Sequence, residues 1–400
     1  MLGMATHADA VTRYAEVGGD GPPSGAEPCP LANPCDLQAS VEDASVANGD
    51  EVIVLPGSYD LGTSTLTIGD SITVRGQGPG QRPLISGTAT GFPALVEVAS
   101  PSGPPPAQLL DLDISSGGTN SLLITRGEAN RVNVVHNGGF LSVACQLSVE
   151  ATVNDSICSA SNAGGIGLVF ALSGGTLSNA IRNVTAYSAQ AEAIAVSSSN
   201  GSHTLNIKNT IASGVTDVSA TASATGTATL NAVGSNYSTT AVAGDGTKTI
   251  TPPGTAGNQT AEPALASPVV GDFHQLPGSL TINGGADGVS ALDLDGMPRL
   301  QGAAPDIGAH EYDLIAPDTT ILKQPRKRTR STRARLTFSS TESGSGFRCK
   351  VDRKQYRDCS SPLRLKRLKE GRHKVLVAAV DAAENQDQTA SVARWRVLRG

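Results

Sequence analysis

Short apolar runs separated by polar stretches organise most of this chain. Ile72-Thr-Val74, Leu95-Val-Glu-Val98, Leu122-Leu-Ile124, Ile166-Gly-Leu-Val169 and Ile194-Ala-Val196 are long enough for a strand and too short for a helix. A second set contains asparagine: Val132-Asn-Val134, Val153-Asn154, Arg182-Asn-Val184 and Leu205-Asn-Ile207. Asn133, Asn154, Asn183 and Asn206 follow one another at intervals of 21, 29 and 23 residues. Periods of roughly 20–30 residues with several short strands each mark a solenoid, whose coils bury their inner faces only by stacking on neighbours. The expected fold class is therefore all-β, a right-handed parallel β-helix. Asparagine at a recurring turn tolerates left-handed backbone geometry and can stack in hydrogen-bonded ladders along the axis. One short helix is expected over 36–46, with Asp36 as N-cap, Leu37, Val41 and Ala44 on one side and Gly49 as the stop. It would cap the first coil, whose strand edges are otherwise open.

The pattern changes after residue 316. Ala334, Leu336 and Phe338 alternate with Arg333 and Arg335; Phe347, Cys349 and Val351 with Arg348 and Lys350; Trp395 and Val397 with Arg394 and Arg396. Strict alternation predicts antiparallel strands with one face in a core and one in solvent. Charge divides at the same place. Residues 1–316 hold 9 Lys+Arg against 28 Asp+Glu, a net of −19, whereas 317–400 hold 21 against 8, a net of +13. A cationic module of that size suits an anionic partner.

Six cysteines fall into the local pairs Cys29/Cys35, Cys145/Cys158 and Cys349/Cys359, a spacing that suggests disulfides and an oxidising compartment. No C-x-x-C occurs and the six histidines are scattered, so no metal is expected from spacing. No apolar stretch reaches the length of a membrane span. Ala8-Asp9-Ala10 matches a signal-peptidase pattern, and residues 1–13 read as the remnant of a signal peptide whose beginning is missing.

Two motifs carry a family resemblance. Gly49-Asp-Glu-Val-Ile-Val-Leu-Pro-Gly-Ser-Tyr59 resembles the first-coil signature of pectate-lyase-like β-helix proteins. Asp293 to Tyr312, with Asp295-Gly296, Pro298-Arg299, Gly302, Asp306-Ile-Gly308-Ala309 and Glu311-Tyr312, resembles the end of the choice-of-anchor Q type of bacterial secreted β-helix. The likeness covers 14–313 and implies a β-helix, export and attachment to the cell surface. Residues 317–400 resemble the bacterial Ig-like modules that follow such helices, an expected β-sandwich in which Cys349/Cys359 departs from the inter-sheet bridge of antibody domains. The closing segment then reads as a last coil. In it Asp293, Asp295, Gly296, Arg299, Asp306, Gly308 and Glu311 are structural, with Arg299 pairing to Asp306 or Glu311.

The catalytic motifs of the pectate-lyase-like enzymes find no matching positions: there is no G-H-G, and Ile207-Lys208 lacks the preceding arginine. Asp111-Leu-Asp113 could place two carboxylates on one strand face for Ca²⁺, and Asp293-x-Asp295 could also hold a cation; a solvated edge and a turn explain them more economically. Arg131 and His136 lie close in sequence without an evident acid partner. No catalytic residue, metal or cofactor is assigned. The expected function is a secreted or cell-surface protein that binds carbohydrate or an anionic envelope polymer. A divergent polysaccharide lyase or glycoside hydrolase is the alternative. The basic run Lys323 to Arg335 does not suggest nucleic acid, because it belongs to an exported, strand-patterned module with few aromatics for base stacking.

Overall fold

A computed structural model describes residues 10–399, apart from 26–27, 90–93, 104, 140–141, 162–163, 173–174, 287–289, 343 and 382. Of the signal-peptide remnant expected in 1–13, residues 1–9 lie outside the described residues, while Thr12 and Arg13 already belong to the first strand, Thr12–Ala15. The chain forms two compact units, Met1–Glu311 and Tyr312–Gly400.

The first unit is a parallel β-solenoid of about seven turns. Three stacks of parallel strands run along it. The first contains Thr12–Ala15, Glu51–Val54, Thr73–Gly76, then 108–110, 128–130, 152–154, Thr176–Arg182, Gly201–Lys208, Gly226–Val233 and Thr247–Ile250. The second includes Ser58–Asp60, Leu84–Gly87, Ile157–Ala160, Thr185–Ser188 and Ile211–Ser213. The third includes Leu66–Ile68, Val96–Ala99, Ile166–Leu172, Glu192–Ser198, Thr216–Ala222 and Thr240–Ala243. Small branched side chains, Val54, Val74, Leu109, Ile124, Val134, Ile194 and Leu230 among them, fill the narrow interior. That is why so few aromatics suffice.

From residue 108 onward, one residue makes each corner between the first and second stacks. Asp111, Arg131, Asp155, Asn183 and Asn209 all have φ between 50° and 56°, and Gly234 follows at 56°. Left-handed geometry costs an ordinary residue about 1–2 kcal/mol, and short polar side chains that bond locally offset it. Here they bond along the axis: Asn183 Nδ2 donates to Asp155 Oδ1 at 2.9 Å, and Asn209 Nδ2 to Asn183 Oδ1 at 3.2 Å. The ladder expected from asparagine is present, but only Asn183 of the four named residues belongs to it. Asn154 and Asn206 lie on the outer face of the first stack, where they bond Asn130 and Asn231. The same corner separates Asp111 from Asp113, which the sequence placed on one strand face, most economically as a solvated edge. The left-handed turn shifts the alternation, so Asp111 is taken by Arg131 at 2.7 and 2.9 Å and Asp113 by Arg82 at 2.8 Å.

The helix spans Leu37–Glu42, shorter than expected. Asp36 caps it by accepting from Ala39 N at 2.9 Å, and Leu37 and Val41 join the core. It stops early because the Asp43 carboxylate captures Ser45 N at 2.9 Å. Cys29–Cys35 pins the approach to it, and Cys145–Cys158 crosses the solenoid interior from the third stack to the second.

The second unit contains a three-stranded sheet (Thr319–Lys323, Ala334–Ser340, Leu363–Leu365) and a five-stranded sheet. The latter orders Arg328–Thr329, Ser391–Val397, Gly371–Val380, Gly346–Val351 and Arg357–Cys359. The arrangement is compatible with a β-sandwich. Leu336, Phe338, Val375, Val377, Ala393, Trp395 and Val397 are buried together, as their alternation predicts. Cys349–Cys359 joins neighbouring strands of one sheet.

Candidate functional site

The segment from Asp293 to Glu311 does not add a coil. It folds along the flank of the solenoid and docks on the corner ladder. Gly308 N donates to Asn209 O at 2.8 Å, Ala309 N to Thr185 Oγ1 at 3.0 Å, and Arg82 Nη1 to Leu294 O at 2.7 Å. Asp293 organises a turn in place of a strand: its carboxylate accepts from the amides of Asp295, Met297 and Glu311 at 3.0, 2.7 and 2.8 Å, with Gly296 at φ 83°. Gly308 must be glycine, since a Cβ would sit 2.7 Å from the Ile211 side chain and its φ is 106°.

Arg299 is the centre of this dock and is only 1 % exposed. Its Nε reaches Asp155 Oδ1 at 2.9 Å, Nη1 reaches Gly308 O at 2.9 Å and Glu311 Oε1 at 3.2 Å, and Nη2 reaches Ala309 O at 2.7 Å. Of the two partners expected for it, Glu311 is the one in contact. Asp306 instead accepts from Asn283 N at 2.6 Å and Gln275 Nε2 at 3.0 Å. Asp155, 144 residues upstream in the chain, was not anticipated; its place in the corner series was the signal. Burial, with the nearby Asp306 carboxylate, raises Glu311 to about 8, and burial also raises Asp293.

Beside the arginine lies a more open cluster. The strand Asp272–Gln275 turns Phe273 and Gln275 inward and leaves Asp272 and His274 side by side. His274 Nδ1 is 2.6 Å from Asp272 Oδ1, and its Nε2 is 2.8 Å from Asp295 Oδ2. His310 Nδ1 is 2.8 Å from the same Asp295 oxygen, and the two imidazoles stack at 4.1 Å. The bonds to Asp295 and Asp272 outweigh desolvation and raise His274 to about 9. Burial pushes Asp295 up, but its bonds to both histidines prevail and hold it well below the usual carboxylate range. Histidines 36 residues apart carry no spacing motif, so sequence reasoning left them scattered. In the second unit the carboxylates of Asp313, Glu342 and Asp381 converge closely enough to share a cation.

Two surfaces complete the inventory. On the solenoid, a groove of about 500 Å³ is bordered by Arg126, Glu128, Glu150, Thr152, Asn179 and Asn206, with Arg126 Nε 2.8 Å from Glu150. His136 and Arg131 do not join a site: His136 is fully buried and Arg131 belongs to the corner pair with Asp111. On the five-stranded sheet, Arg328, Arg396 and Arg372 stand abreast on adjacent strands, and Arg394 is opposite Lys374. A depression of about 720 Å³ lies there, bordered by Lys327, Arg353, Arg372, Lys374, Arg394 and Arg396, with Asp352 as its one carboxylate. Neither a protein-family model nor a curated protein sequence matches this chain.

Proposed function

We propose that the protein is an exported β-helix protein of the pectate-lyase-like, choice-of-anchor Q type, whose Ig-like C-terminal unit binds an anionic polysaccharide or envelope polymer. The observation that carries this reading is the row Arg328–Arg396–Arg372 with the pair Arg394–Lys374 beside it. Neighbouring strands are about 4.8 Å apart, and like charges directly opposite destabilise a sheet. Two unit charges about 5 Å apart in water repel by about 0.8 kcal/mol. Among the described residues of this unit, Arg348 is the only Lys or Arg in an ion pair, at 3.6 Å from Asp358. A linear polyanion would relieve the repulsion along the whole face. Three disulfides support an oxidising compartment, and no helix is long and apolar enough to cross a membrane.

Binding to immobilised polygalacturonate and to isolated cell envelopes, at low and high salt, tests the proposal. Salt-sensitive binding is expected; no binding, or binding indifferent to salt, would overturn it. The groove at Arg126, Glu128 and Glu150 favours a second reading, a polysaccharide lyase or hydrolase, because it sets carboxylates and a cation in one channel. Release of unsaturated uronate from the same polymer would establish that activity, and loss of it in Glu128→Gln would locate it.

A further inference from the structure

The cluster beside Arg299 has the composition of a metal centre. We propose that His274, Asp295 and His310 bind a divalent transition-metal ion, Zn²⁺ above all, through His274 Nε2, His310 Nδ1 and Asp295 Oδ2. The three ligand atoms lie within 4.8 Å of one another. Two imidazole nitrogens and one carboxylate oxygen suit Zn²⁺ or its first-row neighbours, whereas Ca²⁺ and Mg²⁺ prefer oxygen throughout.

Four features prepare the site. Asp272 holds His274 Nδ1 at 2.6 Å and so aims Nε2 at the centre, the outer-shell carboxylate that metal-bound histidines usually have. Stacking at 4.1 Å fixes the two rings side by side. Arg82 approaches Asp295 through Oδ1 at 3.6 Å, leaving Oδ2 for the ion, and its own charge is met by Asp113 at 2.8 Å. His274 is 57 % exposed, so an ion and a water have access. The present 2.8 Å contacts are those of protons between the ligands. Tetrahedral Zn²⁺ would separate adjacent ligand atoms to about 3.3 Å, an opening of about half an ångström that a turn and an edge strand can supply. The ion would take the place of the shared protons and leave a fourth position to water. This inference is independent of polymer binding, since it concerns a different unit of the chain.

The test uses the full chain without an affinity tag, stripped by a chelator. Titration with Zn²⁺ by calorimetry, and with Co²⁺ by visible absorption, should give one equivalent bound and a tetrahedral Co²⁺ spectrum. His274→Ala, a substitution at an exposed position, should weaken binding at least a hundredfold while circular dichroism stays unchanged. Asp272→Asn should weaken it about 10–100-fold through the outer shell. Excess Ca²⁺ should not compete. Absence of binding at sub-millimolar Zn²⁺ and Co²⁺ would overturn the proposal. So would binding that persists undiminished in both His274→Ala and His310→Gln, or that Ca²⁺ abolishes.

Discussion

Arginine serves opposite purposes in the two units. In the solenoid, Arg13, Arg75, Arg82, Arg126, Arg131 and Arg299 each pair with a carboxylate, and Arg13 and Arg299 are only 1 % exposed. In the C-terminal unit the basic side chains project from alternating strand positions and stand beside one another. The difference follows from geometry. Segments folded against the solenoid bury carbonyls and carboxylates, and a guanidinium with five donors can satisfy several of them at once, as Arg13 and Arg299 do. An antiparallel strand sends every second residue to solvent, so charge accumulates there, and among the described residues of that unit Arg348 is the only Lys or Arg with a carboxylate partner. Net charge alone would have described the units as acidic and basic; position shows one using arginine as a strut and the other as a contact.

The sharpest way to break the comparison is to remove a strut. Arg299→Ala leaves Asp155 buried without its cation and Gly308 O, Ala309 O and Glu311 without their donor, and should cost about 3–5 kcal/mol, read by urea unfolding of the full chain. A change below 1 kcal/mol would mean the guanidinium is not central. Next in size, replacing Arg372, Lys374, Arg394 and Arg396 with glutamine should abolish measurable binding to polygalacturonate at physiological salt. The same variant should leave the C-terminal unit as stable or slightly more so, because like-charge pairs are lost. If the variant binds as well as the parent, the face is not a contact surface.

Histidine sharpens the contrast through pH. His136 is fully buried, accepts from Gly138 N at 3.0 Å through Nε2 and faces Ser121 Oγ at 2.9 Å, and burial lowers it to about 4. Its folded value lies below the unfolded one, so its contribution is present above about pH 6.5 and is lost as pH falls toward 4, by roughly 2–3 kcal/mol. His373 is the reverse. Desolvation opposes its charge, but Lys369 O at 2.8 Å and Asp352 at 2.9 Å prevail and raise it. Its contribution is full below about pH 6.5 and declines as pH rises through the elevated folded value. Acid should therefore loosen the solenoid around His136, whereas alkali should loosen the C-terminal unit around His373 and, in the first unit, the flank that holds the elevated His274 and Glu311. Amide exchange read at the strands around His136 at pH 4.5 and around His373 at pH 8.5 follows each group, and His136→Gln should blunt only the acid limb. The smallest effect belongs to Arg75→Ala: its pair with Glu51 is a third exposed, and thermal unfolding should change by less than about 1 kcal/mol.

Much of this was legible in the sequence because it depends on local period. Short apolar triplets specify strands, alternation in 334–397 specifies a half-buried sheet, and close cysteine spacing specifies local bridges. What escaped is what depends on packing between distant segments. Asn133, Asn154 and Asn206 advertise a ladder, yet a one- to three-residue offset puts the corner at 131, 155 and 209 instead. The family-like ending at 293–312 reads as a final coil, since nothing in its own residues says that Arg299 will meet Asp155. His274 and His310 meet only because a short strand and a later loop return to the same flank, which no linear spacing encodes.

That returning segment alters how the molecule can come apart. A stack of coils in which each touches only its neighbours tends to fray from its ends, one layer after another. Here a single run of chain, 294–309, is fastened to Arg82, Asp155, Thr185 and Asn209, which belong to four different layers. It acts as a lateral splint. Peeling any of those layers must first detach the splint from the rest, so the middle of the stack should open as one block and resist stepwise trimming by proteases.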